Sequence, residues 1–527
     1  MRLKTIANTT NGATVCSHAY LYDAMQRRTQ ATLEDASMWK YTYNDRNELV
    51  SAGRFWSDWA PVTGQQFEYA FDDIGNRTSS KAGGDAAGAA LRSATYSANT
   101  VNQLTQRDVP GAVDIIGAAT ATATSVTVNS QSSYRRGEYY QVPLAINNAS
   151  SAQWTSVSNL AVQSGTTNTV IGNTFLAQTP ETPSYDADGN LTNDGRWMLT
   201  WDAENHLTKI ESQTSAPSAS KRKITFDHDW RGRLIRRTEY NGASGSYVVT
   251  NDVKYLSDGW HGIAELNATN NALLRAYLWG SDVSGTMSGA GGVGGLLEVN
   301  SISNGVHFCA YDANGNVTAL FKGTDGTSSA NYEFEPFGQA IRCTGVMAKE
   351  NPYRFSTKRA DDATDLVHYE LRTYRPATGT WLSHDPFLET AFARVRERND
   401  PEMDSTFDPE LNEYGFVAND PEDSIDYKGG GILCDCSYSA PDPEMDAGPT
   451  VPDDSGKLYS WCTLRNQGAT VTWTTSSACV NRIFVYYWCF NCSKRTCTIK
   501  VTLTCTKNGN GKPAWKYSSH VITKKCP

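Results

Sequence analysis

No run of eighteen or more apolar residues interrupts this chain, so the sequence offers no membrane-spanning helix. The N-terminus, Met1-Arg2-Leu3-Lys4-Thr5, starts with charge but has no apolar stretch behind it, so no secretory leader is legible. Cysteine is almost missing from the first 431 residues, which hold three of the twelve. Acid is missing from the other end: from Ser455 onward there is no Asp or Glu and a single histidine, His520. Hydrolysis and deamination need a carboxylate or a histidine cluster as acid, base or ligand, so that last segment argues against a conventional enzyme.

What the chain does have is aromatic residues and turn formers: 26 Tyr, 14 Trp and 42 Gly in 527 residues, with a modest net charge of -9. That composition favours many short strands over helices, and the expected fold class is all-β. The length exceeds one ordinary domain unless a repeat array buries its core progressively.

A repeat is present. Its unit is an aromatic, an acidic or small polar residue, a Gly- or Asn-bearing turn and an aliphatic return. Examples are Phe71-Asp72-Asp73-Ile74-Gly75-Asn76, Tyr185-Asp186-Ala187-Asp188-Gly189-Asn190 and Tyr311-Asp312-Ala313-Asn314-Gly315-Asn316. Copies recur at roughly 16 to 29 residues, within the range of repeat arrays. Each reads as a β-hairpin, because Asp-Gly-Asn and Asn-Gly-Asn tolerate the positive φ of tight turns while the flanks bury one face. Stacked hairpins cover one another's edges. The spacing Asp186, Asp188, Asn190 has the start of a calcium loop, but Trp197 occupies the position that would need Glu, and turn geometry explains the aspartates. No metal site or cofactor is expected.

Two stretches break the pattern. From 107 to 180, Ala, Thr, Ser, Val and Asn dominate, and alternating β-branched residues point to an inserted β-sandwich-like module. Gly285 to Gly295 is rich in Gly and Ser and reads as a flexible loop.

From 331 to 431 the ordered motifs are Tyr332-Glu333-Phe334-Glu335-Pro336-Phe337-Gly338, Tyr369-Glu370-Leu371-Arg372-Thr373-Tyr374-Arg375-Pro376, Trp381-Leu382-Ser383-His384-Asp385-Pro386 and Asn412-Glu413-Tyr414-Gly415-Phe416-Val417-Ala418-Asn419-Asp420-Pro421. This stretch resembles the Rhs-associated core that ends the YD-repeat proteins. The resemblance implies that the repeats form a spiralling β-hairpin shell wall and that the core plugs or lines one end. It further implies, for some members, an aspartyl autoprotease that releases the C-terminal segment. Asp385 and Asp426 fall on the family's two acidic positions, and the expected cleavage region is Gly429, Gly430 and Gly431. Two nearby carboxylates are suited to this task, since one keeps a proton while the other activates water. Thr380 stands where an Arg commonly precedes the Trp, and an acidic insert from Glu389 to Glu410 lengthens the gap between the aspartates.

Composition changes again after Gly431. Nine cysteines, Cys434, Cys436, Cys462, Cys479, Cys489, Cys492, Cys497, Cys505 and Cys526, accompany a linker rich in Pro and Asp and then a basic, threonine-rich segment. Paired spacing for a zinc ribbon is missing, so a small disulfide-stapled β domain is the expectation. Its basic, aromatic character suits an anionic surface, whether membrane, glycan or nucleic acid.

The expected organisation is therefore 1–106 repeat wall, 107–180 insert, 181–330 repeat wall, 331–431 core and 432–527 linker and tail. Repeat sequence already at Tyr22-Asp23 leads to the expectation of a longer parent chain, with a missing N-terminal shell portion as partner. The resemblance implies an exported shell protein, extracellular or at the cell surface, that encloses or displays a variable tail as polymorphic toxins do, together with a cognate immunity protein. The alternatives are a self-cleaving aspartyl protease, whose only activity is its own maturation, and a surface adhesion or carbohydrate-binding repeat protein without catalysis. No small-molecule substrate is implied.

Overall fold

The computed structural model describes residues 3–10, 12–386, 412–426, 428 and 429, and beyond these the backbone of short strands between 432 and 523. The acidic insert, Gly430, Gly431 and the side chains of all nine tail cysteines lie outside the described residues. The chain divides into two compact units, Met1–Leu433 and Cys434–Pro527.

In the first unit the strands neighbour one another in chain order. One nine-stranded antiparallel sheet runs from strand Thr5–Thr10 to strand Leu104–Arg107, and one of fourteen strands runs from Ser184–Tyr185 to Ala340–Thr344. The fold is all-β. The reason lies in the turns. At Asp23, Asn44, Asp72, Asp85, Asn99, Asp186, Asp202, Asp229 and Asp312, one side-chain oxygen accepts the backbone N–H groups two and four residues on. The residue three on sits at positive φ, as at Gly75 (84°), Gly189 (80°) and Asn205 (60°), and is Gly or Asn in each of these turns except the first, where Gln26 takes φ 70°. Asp186 is thus occupied by its own turn, its second oxygen accepting Asn190 Nδ2 at 3.2 Å. A one-residue register shift follows such turns, for example at Ala70/Phe71 and Ala310/Tyr311, and adds local twist.

The two sheets meet where Arg107 and Glu181 exchange backbone hydrogen bonds at 3.0 and 2.9 Å. Their side chains also pair. The chain between them leaves the wall and returns to the same point. It forms a three-stranded and a four-stranded sheet around Val126, Val128, Tyr140, Val142, Leu144 and Val157.

Two sequence expectations shift. The fourteen-stranded sheet continues to Thr344, so Tyr332-Glu333-Phe334 belongs to the wall, drawn there by alternation that suits a strand. The Gly- and Ser-rich segment from Gly285 to Gly295 is a packed knot. Asp282 accepts the N–H of Ser284 at 2.9 Å, Ala290 at 2.7 Å and Gly292 at 3.1 Å, and Ala290 and Val293 are wholly buried. Composition suggested flexibility, whereas one buried carboxylate supplies the missing order.

After the last long strand, four short strands, Arg359–Asp361, Leu366–His368, Thr373–Arg375 and Thr380–Trp381, form a small sheet. It carries an aromatic cluster of Phe355, Tyr369, Tyr374, Trp381 and Phe416, each worth about 2–3 kcal/mol in burial. This core segment lies over turns of both walls. Asn419 Nδ2 donates to Gly75 O at 2.8 Å, Tyr414 Oη to Gly189 O at 2.8 Å and Asn314 Nδ2 to Pro421 O at 2.6 Å. Phe337 from the wall packs with Tyr20, Trp39, Tyr41, Phe67 and Tyr69. In the second unit, strands Thr470–Ser477, Cys497–Lys507 and Pro513–Thr523 form an antiparallel sheet.

Candidate functional site

The hairpin joining Thr373–Arg375 to Thr380–Trp381 sets the indole of Trp381 beside Arg372, whose guanidinium lies 4.2 Å from the ring centre. Leu382 and Ser383, both buried, lead the chain out to Asp385. The strand Ser424–Asp426 supplies the second aspartate. Arg372 joins the two arms: its Nη2 is 2.9 Å from Asp385 Oδ2 and 3.5 Å from Asp426 Oδ2. The two aspartates singled out in the sequence therefore share one nitrogen.

The same guanidinium reaches backbone. Arg372 Nη1 donates to Glu413 O at 3.1 Å, and Nε donates to Gly429 O. Asp426 Oδ1 accepts the N–H of Gly429 at 2.7 Å and of Lys428 at 3.2 Å. Gly429 is thus held on both sides, its N–H by Asp426 and its carbonyl by Arg372. Its φ is +77°, and an added Cβ would press on Arg372 and Tyr369, so glycine is required here. Asp426 is 2 % exposed and Arg372 6 %. Burial holds the guanidinium below its ordinary pKa, while Asp385 and Asp426 pull it back up.

Arg372 is the residue that the sequence reading missed. Position 380, beside Trp381, holds Thr; the arginine that stacks on that tryptophan ends Tyr369-Glu370-Leu371-Arg372, the bend that leads into strand Thr373–Arg375. Its presence inside a recognised motif was the available signal. His384 lies 3.7 Å from Glu413 and packs with its ring tilted against Tyr414 at 4.9 Å, next to the Gly189 turn. It braces the loop that carries Asp385.

A second concentration of charge lies where the core meets both walls. Asp420, Glu422 and Asp423 surround Arg28, with Nη1 3.2 Å from Glu422 and the Arg28 backbone N–H 2.7 Å from Asp423. Burial pushes Glu422 up to about 7, against the pull of Arg28, and burial likewise raises Asp420. Among the described residues no three His, Cys, Asp or Glu side chains converge as a metal would require.

No family profile matches the chain. Among curated proteins it is similar to the tRNA nuclease WapA of Bacillus subtilis (strain 168), 27% identical over 250 residues, covering 47% of this chain and 9% of the relative. It is also similar to the tRNA3(Ser)-specific nuclease WapA of Bacillus spizizenii, 28% identical over 275 residues, covering 51% of this chain and 10% of the relative. The match thus spans about a tenth of those proteins' length. Among solved structures it is similar to the crystal structure of TcdB2-TccC3-Cdc42, with a TM-score of 0.36 and 15% identity over 80% of this chain and 20% of the other. A Photorhabdus luminescens Tc holotoxin pore gives a TM-score of 0.36 at 14% identity, over 83% of this chain and 21% of the other.

Proposed function

We propose that the chain is part of an Rhs-type exported protein of the polymorphic-toxin kind, whose β-wall and core enclose or present the C-terminal unit. The observation that carries this reading is the place where the core ends. Gly429 is held on both sides by Asp426 and Arg372, a few residues before the chain passes into a compositionally different second unit. The similarity to WapA nucleases over half of the chain supports it. The location that follows is extracellular or at a cell surface. The basic second unit is the cargo, acting on an anionic surface, and an immunity protein is its counterpart. Producing the full chain in a bacterial host, beside a chain ending at Gly431, tests the proposal. Growth inhibition confined to the full chain supports it; equal growth at equal protein levels rejects it.

A second reading concerns the same site, and one observation favours it: Arg372 Nε on the carbonyl of Gly429 with two carboxylates on the same guanidinium. In this reading the core cuts the peptide bond that follows Gly429. Arg372 polarises the Gly429 carbonyl, one carboxyl takes a proton from water as its oxygen bonds to the carbonyl carbon, and the other protonates the departing nitrogen. The C–N bond breaks, leaving a carboxylate on Gly429 and a free amine on Gly430. Mass measurement after purification decides. Two fragments are expected, and Asp385→Asn abolishes their formation; an intact product of 57.7 kDa rejects cleavage.

A further inference from the structure

Strand Thr166–Leu176 is the outermost strand of the four-stranded sheet in the module between Arg107 and Glu181. A strand with one face on a core alternates between buried and exposed residues. Here Thr166 to Asn173 are exposed without a break, and only Thr174, Phe175 and Leu176 turn partly inward at the base. Val170 and Ile171, neighbours on opposite faces, are 63 % and 70 % exposed. The other side of the strand is fully paired with Gln153–Gln163 over eleven positions with no register shift, so the ribbon carries no bulge to turn its edge away.

Sheet edges are ordinarily protected by shortness, bulges, charge or proline. The other outer strands of this unit use these devices. Thr5–Thr10 has a register shift between Asn8 and Thr9, Gln131–Ser132 has two residues, and Tyr134–Arg136 carries Arg135 and Arg136. Thr166–Leu176 has none of them: it is eleven residues long with neither proline nor charge. The uncharged stretch extends from Tyr139 to Pro180, in a chain that elsewhere carries 47 basic and 56 acidic residues.

We infer that this edge is a self-association surface, on which the Thr166–Leu176 strands of two copies of the chain pair antiparallel and join two four-stranded sheets into one. The absence of charge selects this occupant. An acidic or basic partner would find nothing to pair with, whereas an uncharged edge meets its own copy without repulsion. A two-fold axis normal to the sheet through Val170 keeps each side chain on its own face. It sets Thr169 opposite Ile171 of the second copy and Thr167 opposite Asn173, which matches β-branched residues and amides in the ladder. Because the edge is used once per copy, the assembly closes at two. Eleven residues per side fall short of the roughly 20–30 of a standard interface, so the affinity is weak, on the order of 10 μM. The net charge of -9 on each copy opposes approach, and salt strengthens the dimer.

Sedimentation equilibrium of the full chain between about 1 and 200 μM reads this directly, with Asp385→Asn present to keep the mass uniform. The weight-average mass is expected to rise from one chain toward two. Val170→Lys and Val170→Glu, at a position exposed enough to leave the fold intact by circular dichroism, each hold the protein monomeric, and mixing them in equal amounts restores the dimer. A single-chain mass throughout for the unsubstituted protein overturns the inference, as does a dimer that both substitutions leave in place.

Discussion

Changing Glu422 to Gln removes one carboxyl from the junction where the core meets both walls, and its effect should depend on pH in a calculable way. Glu422 shares Arg28 with Asp423, lies near Asp312 and accepts a hydrogen bond from Tyr41. Burial and these acids raise it to about 7 from an ordinary 4.5. A carboxyl raised on folding binds its proton more tightly in the folded state. The stability it contributes is complete below about pH 4.5 and is lost as pH rises through about 7. That rise corresponds to roughly 3 kcal/mol in full, most of which falls between pH 5 and pH 8. Glu335 is also raised to about 7 by burial, so the unsubstituted protein should show a steeper loss than Glu422 alone explains. The comparison isolates one group. The urea-unfolding free energy of the first unit, followed by tryptophan fluorescence from pH 5 to pH 8, should fall by about 2–3 kcal/mol more in the unsubstituted protein than in Glu422→Gln. Parallel curves would show that Glu422 is ionised in the folded state throughout, and the electrostatic account of the junction would fail.

Further outcomes follow from the turns and from the guanidinium. Asp85→Ala removes the acceptor for Ala87 and Ala89 in an exposed turn and should cost about 1 kcal/mol in thermal or urea unfolding. Asp72→Ala removes the same local bonds but also frees Asn76 and Gly75, which hold Asn412 at 3.0 Å and Asn419 at 2.8 Å, so about 2–3 kcal/mol is expected; equal losses would refute the role of the turns as docking points for the core. Arg372→Lys keeps the charge but cannot reach Asp385, Asp426, Glu413 and Gly429 together, and if the core cleaves, the cleavage rate should fall at least about 100-fold while the fold persists. Unchanged cleavage would remove Arg372 from the proposed chemistry.

The wall was legible because its information is local. An Asp or Asn followed three residues later by Gly or Asn encodes a turn whose every hydrogen bond closes within five residues, and alternating aromatic residues state which face is buried. Asp385 and Asp426 were singled out by motif position, and the fold brings both to Arg372. What sequence could not supply was the joining of distant segments. Arg372 is placed by strand pairing, not by adjacency to Trp381. Asp420-Pro421-Glu422-Asp423 carries three acids in four residues, and its burial against Arg28, a residue almost four hundred positions away, makes it a junction with raised carboxyls at Asp420 and Glu422. The Gly285 to Gly295 segment misleads for the same reason, since Asp282 orders it from outside the glycine run.

The strictly sequential order of both sheets has a bearing on time as well as on shape. Neighbouring hairpins close short loops, while the core's bonds span hundreds of residues: Asn419 to Gly75, Tyr414 to Gly189, Arg28 to Glu422. Short loops close at lower entropic cost and sooner, which favours formation of the wall's hairpins before the core's long-range bonds. Seating of the core therefore requires turns of both walls to be in place, since its bonds to Gly75, Gly189 and Asn314 are made to those turns.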